Sequence, residues 1–337
     1  MDGVAMTVKI VTLGCKVNQA ESEALAARLA SEGFTIAAPA VAAGDVDRVI
    51  VNTCAVTAEA GRKSRQAIRH AMGECADVRA IGCYAKLEPK ALAGATIAPA
   101  PEYSLTVANP ASGLAFNNRQ KAYLKIQDGC DNHCTYCVIP SIRGKSRTVP
   151  IEEISRTLER FYLSGCRQVV ITGIEIASYG ADCGTSLTAL LLDLKRQYPD
   201  LRFWLGSLEP RWLTAENIKP LVGIIEPEFH ISVQSGSDTV LKRMGRKYTV
   251  NDVKRGIELI RALFISYSLS TDIIAGFPGE TEAEFSETRE FLGKTGFNSL
   301  HVFPYSVRPG TPAASMSGQI PKAGKLARAA ELRRGQS

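Results

Sequence analysis

The 337-residue sequence predicts an α/β protein, in which an N-terminal open parallel-sheet domain precedes a partial (β/α)6 barrel. Three observations carry that expectation. Short, nearly continuous apolar runs end at turn residues, as buried parallel strands do. Segments with helical spacing of apolar residues lie between them. The strand–helix order then repeats to about Phe303, which is the pattern of stacked βα units.

Taken in order, residues 8–13 form the first strand, stopped by Gly14. Residues 19–31 form a helix, with Leu25 and Leu29 at helical spacing and Gly33 beyond its end. Residues 48–52 are a second strand, 58–72 a basic helix and 78–81 a third strand. Residues 94–118 are rich in Ala, Pro, Ser and Asn, and read as an interdomain connection with room for one short strand. Six further strands fall at 122–126, 168–172, 201–205, 229–233, 269–274 and 299–303. Helices fit between them at 151–164, 186–197, 215–222, 250–263 and 282–295. The expected division is 1–118, 119–312 and a basic C-terminal segment 313–337, which reads as one helix.

Composition narrows the class. Hydrophobic residues make up 45% and charged residues 22%, which is ordinary for a globular chain and unlike a disordered one. No apolar run approaches the ~18 residues a membrane span needs, and the first residues lack a secretory pattern. A cytoplasmic protein without a membrane partner is expected. The net charge of +6 permits a polyanionic partner without establishing one. Nine cysteines, an odd number, speak against a disulfide framework and for metal ligands or nucleophiles.

Three of those cysteines, Cys130, Cys134 and Cys137, lie in one loop after the strand at 122–126. Thiolates so spaced can hold three irons of a cubane whose usual complement is four, leaving one iron open to a chelating ligand. A zinc site would have to recruit a distant fourth ligand. His133, wedged between two of the thiols, suits tetrahedral geometry poorly. Three more, Cys15, Cys54 and Cys83, each follow a strand of the first region. If those strands are parallel neighbours, their C-terminal ends meet at the edge where open α/β sheets bind ligands, and the three thiols could hold a second cluster. Cys75, Cys166 and Cys183 lack partners in either pattern and read as structural.

The Cys-x-x-x-Cys-x-aromatic-Cys loop resembles that of the radical S-adenosylmethionine (SAM) superfamily. The six cysteines together resemble its methylthiotransferases. The likeness runs from about Val8 to Pro312 and includes Ser232-Val233-Gln234-Ser235-Gly236-Ser237, Gly276-Phe277-Pro278-Gly279-Glu280-Thr281 and Arg308-Pro309-Gly310-Thr311-Pro312. Gly14-Cys15-Lys16-Val17-Asn18-Gln19 and His301-Val302-Phe303-Pro304-Tyr305-Ser306 are most similar to the threonylcarbamoyladenosine tRNA branch.

The resemblance implies two [4Fe-4S] clusters, with Cys130, Cys134 and Cys137 on the radical-generating one and Cys15, Cys54 and Cys83 on an auxiliary, sulfur-delivering one. It implies S-adenosyl-L-methionine as methyl and radical source, and an electron donor of unknown identity. The implied substrate is the modified adenosine beside the anticodon in the tRNA anticodon stem-loop, methylthiolated at carbon 2. Isopentenyladenosine in tRNA or a ribosomal protein are the alternative substrates within the class, and a non-catalytic electron carrier is the alternative outside it. A monomer is expected. Members of the family usually end in a small RNA-binding β-barrel, which is expected to be absent here.

Weaker signals sit at strand ends. Gly276, Phe277 and Pro278 form a turn that could let backbone approach the donor's adenine. Gly173 and Glu175 follow another strand. Glu175 departs from the Asn or His of the family and is similar to the Gly-Gly-Glu turn of the wider superfamily, so it is expected to approach the donor's amino group. Glu209, Gln234 and Ser235 could bind ribose or carboxylate. Residues 143–147, with Arg143, Lys145 and Arg147, are expected to meet RNA phosphate. The basic helix holding Arg62 and Arg69 is as compatible with a solvated face. His230 and His301, on strands, are expected to be satisfied core residues and not ligands.

Overall fold

The computed structural model describes residues 5–38, 40–98 and 121–335. The chain forms two compact units, one of Met1–Ile126, Ser141–Gly144 and Val149–Gly173, the other of Gln127–Pro140, Lys145–Thr148 and Ile174–Ser337. Beyond residue 98, the connection expected at 94–118 lies outside the described residues.

The first unit opens with β1 (Thr7–Thr12), α1 (Lys16–Ser31), β2 (Thr35–Ile36), β3 (Arg48–Thr53), α2 (Ala58–Glu74), β4 (Val78–Ile81), α3 (Gly82–Leu87) and β5 (Thr96–Ile97). The five strands form a parallel sheet in the order β2-β1-β3-β4-β5. Val8 pairs with Arg48 and Val49 with Val78, so the C-terminal ends of β1, β3 and β4 lie side by side. One face is sealed by Val8, Leu25, Leu29, Ile50 and Ile81, which the apolar runs and the helical spacing had marked. The first helix starts at Lys16, three residues earlier than its apolar spacing suggested, because its opening turn buries polar Asn18 beside Val17.

Next come β6 (Ala122–Lys125), β7 (Gln127–Asp128), α4 (Ile139–Arg143), β8 (Arg147–Thr148), α5 (Ile151–Leu163) and β9 (Gln168–Thr172). Strands β6 and β9 pair in parallel within the first unit, and β7 and β8 form an antiparallel pair within the second. The chain continues through α6 (Leu187–Gln197), β10 (Arg202–Leu205), β11 (Ser207–Leu208), α7 (Ala215–Ile218), β12 (Glu228–Gln234), α8 (Asp238–Arg243), α9 (Val250–Leu263), β13 (Ser268–Ala275), α10 (Glu282–Thr295), β14 (Ser299–Pro304) and α11 (Lys322–Arg334). These βα units are those of the partial (β/α)6 barrel the sequence predicts. The helix expected at 215–222 is shorter: α7 gives way to a 3-10 turn at Lys219–Leu221, where Pro220 cannot supply the backbone N–H an α-helix needs.

Strands β11, β12, β13 and β14 are parallel neighbours. Period-two alternation buries Phe229, Ile231 and Val233 of β12 with Leu269, Thr271 and Ile273 of β13 on one face. The other face stays half-open and carries His230, Ser232, Gln234, Ser270 and Asp272. Helices α9 and α10 each open with a reciprocal capping box, Thr249 with Asp252 and Thr281 with Glu284. Each cap contributes about 1 kcal/mol and fixes where its helix leaves the preceding loop. No described helix is long and apolar enough to cross a membrane.

Candidate functional site

At the edge of the first sheet, Cys15 caps α1, Cys54 follows β3 and Cys83 lies in the first turn of α3. The parallel register brings them together. Burial pushes the Cys54 thiol up to about 11, and the nearby Cys15 and Cys83 oppose its ionisation further. Cys83 is likewise raised by burial, against the pull of Arg143, whose Nε lies 3.3 Å from the sulfur. Gly14 admits the packing: at φ +102°, a Cβ there would stand 2.7 Å from Cys54 Cβ and 2.8 Å from its sulfur.

A polar lattice holds this edge. Asn18 Nδ2 donates to the carbonyls of Leu13 (2.8 Å) and Thr53 (3.0 Å), and Asn52 Nδ2 donates to Asn18 O (2.9 Å) and Ser22 Oγ (3.0 Å). Arg143 is buried and clamps Glu21 at 2.6 and 3.0 Å while reaching Asn18 Oδ1 at 3.2 Å. That overturns the phosphate-binding expectation for Arg143. Its guanidinium is consumed by a carboxylate and the thiol edge, whereas Lys145 and Arg147 remain exposed. Despite burial, Glu21 is held below the usual carboxylate range by Lys125 and Arg143.

In the second unit, the loop after β7 carries Cys130, Cys134 and Cys137. Two of the sulfurs accept backbone N–H groups, Cys130 from Asn132 and Cys137 from Ile139, each at 3.4 Å, and Cys134 accepts from Arg246 Nη1 at 3.1 Å. Donors aimed at all three sulfurs suit thiolates, which is the form that ligates iron. Burial pushes the Cys137 thiol up to about 12, with Cys134 and Cys130 adding to the shift, and burial also raises Cys130. Cys130 and Cys137, which burial holds back from ionising, need a cationic centre to take their charge, and three clustered sulfurs that all accept hydrogen bonds fit an iron–sulfur cluster. His133 is exposed beside them and reads as loop, not ligand.

The loop is fixed from α8 onward. Thr135 N–H donates to Met244 O at 2.9 Å, Thr135 Oγ1 to Arg243 O at 2.9 Å, and Ala313 N–H to Thr135 O at 2.8 Å. Gly245, at φ +73°, leaves room for the His133 carbonyl, which a Cβ would meet at 2.9 Å. Arg246 is itself oriented by Tyr248, whose hydroxyl accepts from its Nε at 2.9 Å and lies 2.7 Å from Ser232 O at the end of β12.

Beside this loop lies a cavity of about 380 Å³, lined among others by Asn132, Glu175, Glu209, Arg211, Trp212 and Lys247. Small-ligand sites occupy roughly 300–1,000 Å³. Glu175 N–H donates to Gln127 Oε1 at 2.8 Å, and Asn132 Nδ2 reaches Glu175 Oε2 at 3.5 Å. Glu175 Oε1 is buried with no hydrogen-bond partner. Burial, with the neighbouring Glu209 charge, pushes the Glu175 carboxyl up to about 7. An orphaned acceptor facing a cavity next to the thiol loop suits a donor's amino N–H.

The other expected contacts are placed less simply. Glu209 is buried and bound by Arg211 through Nε at 3.1 Å and Nη2 at 2.9 Å. Gln234 adopts φ 69°, rare for a non-glycine residue, where the register of β12 shifts. Ser235 is buried against Thr288 Oγ1 at 3.2 Å. Gly173 follows β9 directly. Gly276 closes on Lys325 of α11, whose Cγ a Cβ would meet at 2.8 Å, and its N–H donates to Glu280 Oε2 at 2.8 Å. Phe277 is fully buried between Tyr136 and Tyr305, with ring centroids 6.4 and 5.3 Å away, and Pro278 is buried beside it. The roles of Arg246 and the Asn18–Asn52 pair escaped the sequence reading and that of Arg143 was misassigned, because nothing in their local pattern distinguishes an arginine that meets a sulfur from one that meets water.

A run of βα units with a three-thiol loop behind its first strand is the arrangement of a radical SAM protein. The model of the Radical SAM superfamily matches residues 124–292, and that of uncharacterized protein family UPF0004 matches residues 7–99. The threonylcarbamoyladenosine tRNA methylthiotransferase MtaB of Thermotoga maritima is 37% identical, over 96% of this chain and 80% of its own. The protein of that name from Rickettsia prowazekii is 36% identical, over 96% and 82%. A tRNA-2-methylthio-N(6)-dimethylallyladenosine synthase of Streptomyces viridosporus is 32% identical, over 95% and 70%. Among solved structures, the radical SAM methyltransferase TsrM of Kitasatospora setae superposes with a TM-score of 0.66 at 15% identity, over 92% of this chain and 75% of its own. The chain belongs to the MtaB-type radical SAM methylthiotransferases.

Proposed function

We propose that this chain is an enzyme that adds a methylthio group to carbon 2 of N6-threonylcarbamoyladenosine beside the tRNA anticodon. The observation that carries this reading is the relationship to the MtaB proteins over nearly the whole chain, across both the edge bearing Cys15, Cys54 and Cys83 and the loop bearing Cys130, Cys134 and Cys137. The superfamily supplies an iron–sulfur cluster and S-adenosylmethionine. That there are two [4Fe-4S] clusters, one for each thiol triad, is part of the proposal. So are a monomer, a cytoplasmic location, a separate electron donor and a functional division at 1–118 and 119–312.

When bound, the cluster and SAM supply a 5′-deoxyadenosyl radical, the reagent an aromatic C–H requires because no acid or base gives it a useful handle. The residues of this chain do the rest. Cys130, Cys134 and Cys137 would hold the radical-generating cluster, and three thiols where four are usual would leave room for the donor. Arg246 offsets charge at Cys134 and ties it to the end of β12, and Glu175 accepts from the donor's amino group in the cavity. Cys15, Cys54 and Cys83, with Arg143 alongside, would hold the auxiliary centre, which would supply the sulfur. The positive end of α1 at Cys15 favours negative charge there.

Mass spectrometry of tRNA nucleosides from a strain lacking the gene tests the reading. Loss of the 2-methylthio form of threonylcarbamoyladenosine, restored by the intact gene and not by a Cys134→Ala copy, is expected. Loss of methylthiolated isopentenyladenosine instead would move the chain to the other tRNA branch.

A further inference from the structure

On the half-open face of the β12–β13–β14 sheet stands a cluster for which the reaction above has no use. His230 and His301, expected as core residues, are not: the His301 side chain is 54% exposed, and both rings turn toward one carboxylate. His230 Nε2 lies 3.1 Å from Asp272 Oδ2, and His301 Nδ1 lies 3.3 Å from Asp272 Oδ1. The parallel register produces the grouping. Asp272 is the direct pair of His301, and His230 pairs with Ser270, two residues before Asp272 and therefore on its face.

We infer that His230, Asp272 and His301 form a binding site for a divalent first-row cation of the zinc type. The three ligand atoms lie within 4.8 Å of one another. Zinc bonds of ~2.0–2.1 Å at the tetrahedral angle set neighbouring ligand atoms roughly 3.3 Å apart, and each imidazole nitrogen lies at 3.1 or 3.3 Å from its own oxygen of Asp272. The imidazoles stack with centroids 5.4 Å apart and 28° between planes, so closing their nitrogens on a shared ion needs only small side-chain rotations.

The surroundings accommodate the tautomer a metal requires. His230 Nδ1 is 2.9 Å from Ser270 Oγ, and Ser270 Oγ can pass its own proton to Phe229 O at 3.4 Å. With Nδ1 as donor, His230 Nε2 presents a lone pair toward Asp272, an arrangement that a shared cation would satisfy. A partner on the far ring nitrogen is the usual companion of a ligating histidine. Two histidines and one carboxylate fill three of four corners, leaving the last to water or an anionic oxygen. The set contains no sulfur, so it selects differently from the cysteine triads.

The test uses the full-length, cluster-loaded protein, equilibrated with micromolar zinc and then desalted, with metal content and zinc K-edge absorption measured together. One zinc per chain is expected, with a nitrogen/oxygen shell at ~2.0–2.1 Å, imidazole back-scattering and no sulfur near ~2.3 Å. Asp272→Asn, which keeps the side-chain shape, and His301→Ala, at an exposed position, should each weaken zinc binding at least tenfold with iron content and circular dichroism unchanged. Wild-type protein that binds no zinc, a sulfur-dominated shell, or unchanged zinc in both variants would overturn the inference and leave Asp272 as a hydrogen-bonding bridge between two histidines. None of these readouts depends on methylthiolation, so the inference and the proposed reaction fail separately.

Discussion

Replacing Glu175 by Gln should change donor binding in a pH-dependent way. In the donor-free protein burial lifts this carboxyl from 4.5 to about 7, with Glu209 adding to the shift. A shift of that size corresponds to on the order of 3 kcal/mol. Because the folded pKa is raised, its stabilisation of the fold is complete below the unfolded value of 4.5 and is lost as pH rises through about 7. Glu175→Gln should therefore make the donor-free protein more stable at pH 8 while weakening its grip on the donor.

The ionised carboxylate is the stronger acceptor for the donor's amino N–H, and losing a charge-assisted bond costs about 1.5–3 kcal/mol, or roughly 10–100-fold in Kd. With a pKa near 7, roughly a tenth of Glu175 is ionised at pH 6 and nine-tenths at pH 8. The ratio of variant to wild-type Kd should thus rise about tenfold over that range, and the donor's own titration cancels in the ratio. Isothermal titration of SAM into cluster-loaded protein at both pH values measures it. A ratio near one at pH 8, or one independent of pH, would refute the assignment of Glu175 to the donor.

Arg143→Gln leaves Glu21 buried with Lys125 as its remaining cation, and should cost about 3 kcal/mol, read as a lower urea midpoint. The same variant should shed iron faster from the Cys15–Cys54–Cys83 edge, whereas an unchanged rate would confine Arg143 to stability. Arg246→Gln removes the charged donor to Cys134 and should lower the reduction potential of that cluster in protein-film voltammetry; an unshifted potential would contradict the charge-offset role. Phe277→Ala empties the space between Tyr136 and Tyr305 and should cost about 3–5 kcal/mol in chemical denaturation, with less than 1 kcal/mol showing that the turn is not a core element.

Much of this architecture was legible because parallel strands advertise themselves. The runs at Arg48–Thr53 and Val78–Ile81 are apolar, β-branched and bounded by turn residues, and each folds as read. Cys15, Cys54 and Cys83 were visible for the same reason, since thiols that follow neighbouring parallel strands share an edge, and Cys130, Cys134 and Cys137 were visible from their spacing within one loop. What stayed hidden depends on distant pairing. Arg143 looks like the start of a basic surface run until Glu21, 122 positions away, claims its guanidinium. His230 and His301 occupy strand positions that suggest a core, and only the register against Asp272 reveals that their face is open. Gly276 read as a ligand-facing turn, but its close neighbour is Lys325, which no local spacing could foretell.

The central claim, two iron–sulfur centres each held by three thiols, is tested most directly by counting iron and sulfide in anaerobically reconstituted protein alongside its Mössbauer spectrum. Wild type should carry about eight irons per chain. A variant with Cys15, Cys54 and Cys83 replaced by Ala, and another with Cys130, Cys134 and Cys137 replaced, should each keep about four irons in a [4Fe-4S] signature. About four irons in the wild type, or all iron lost when either triad is removed, would contradict it.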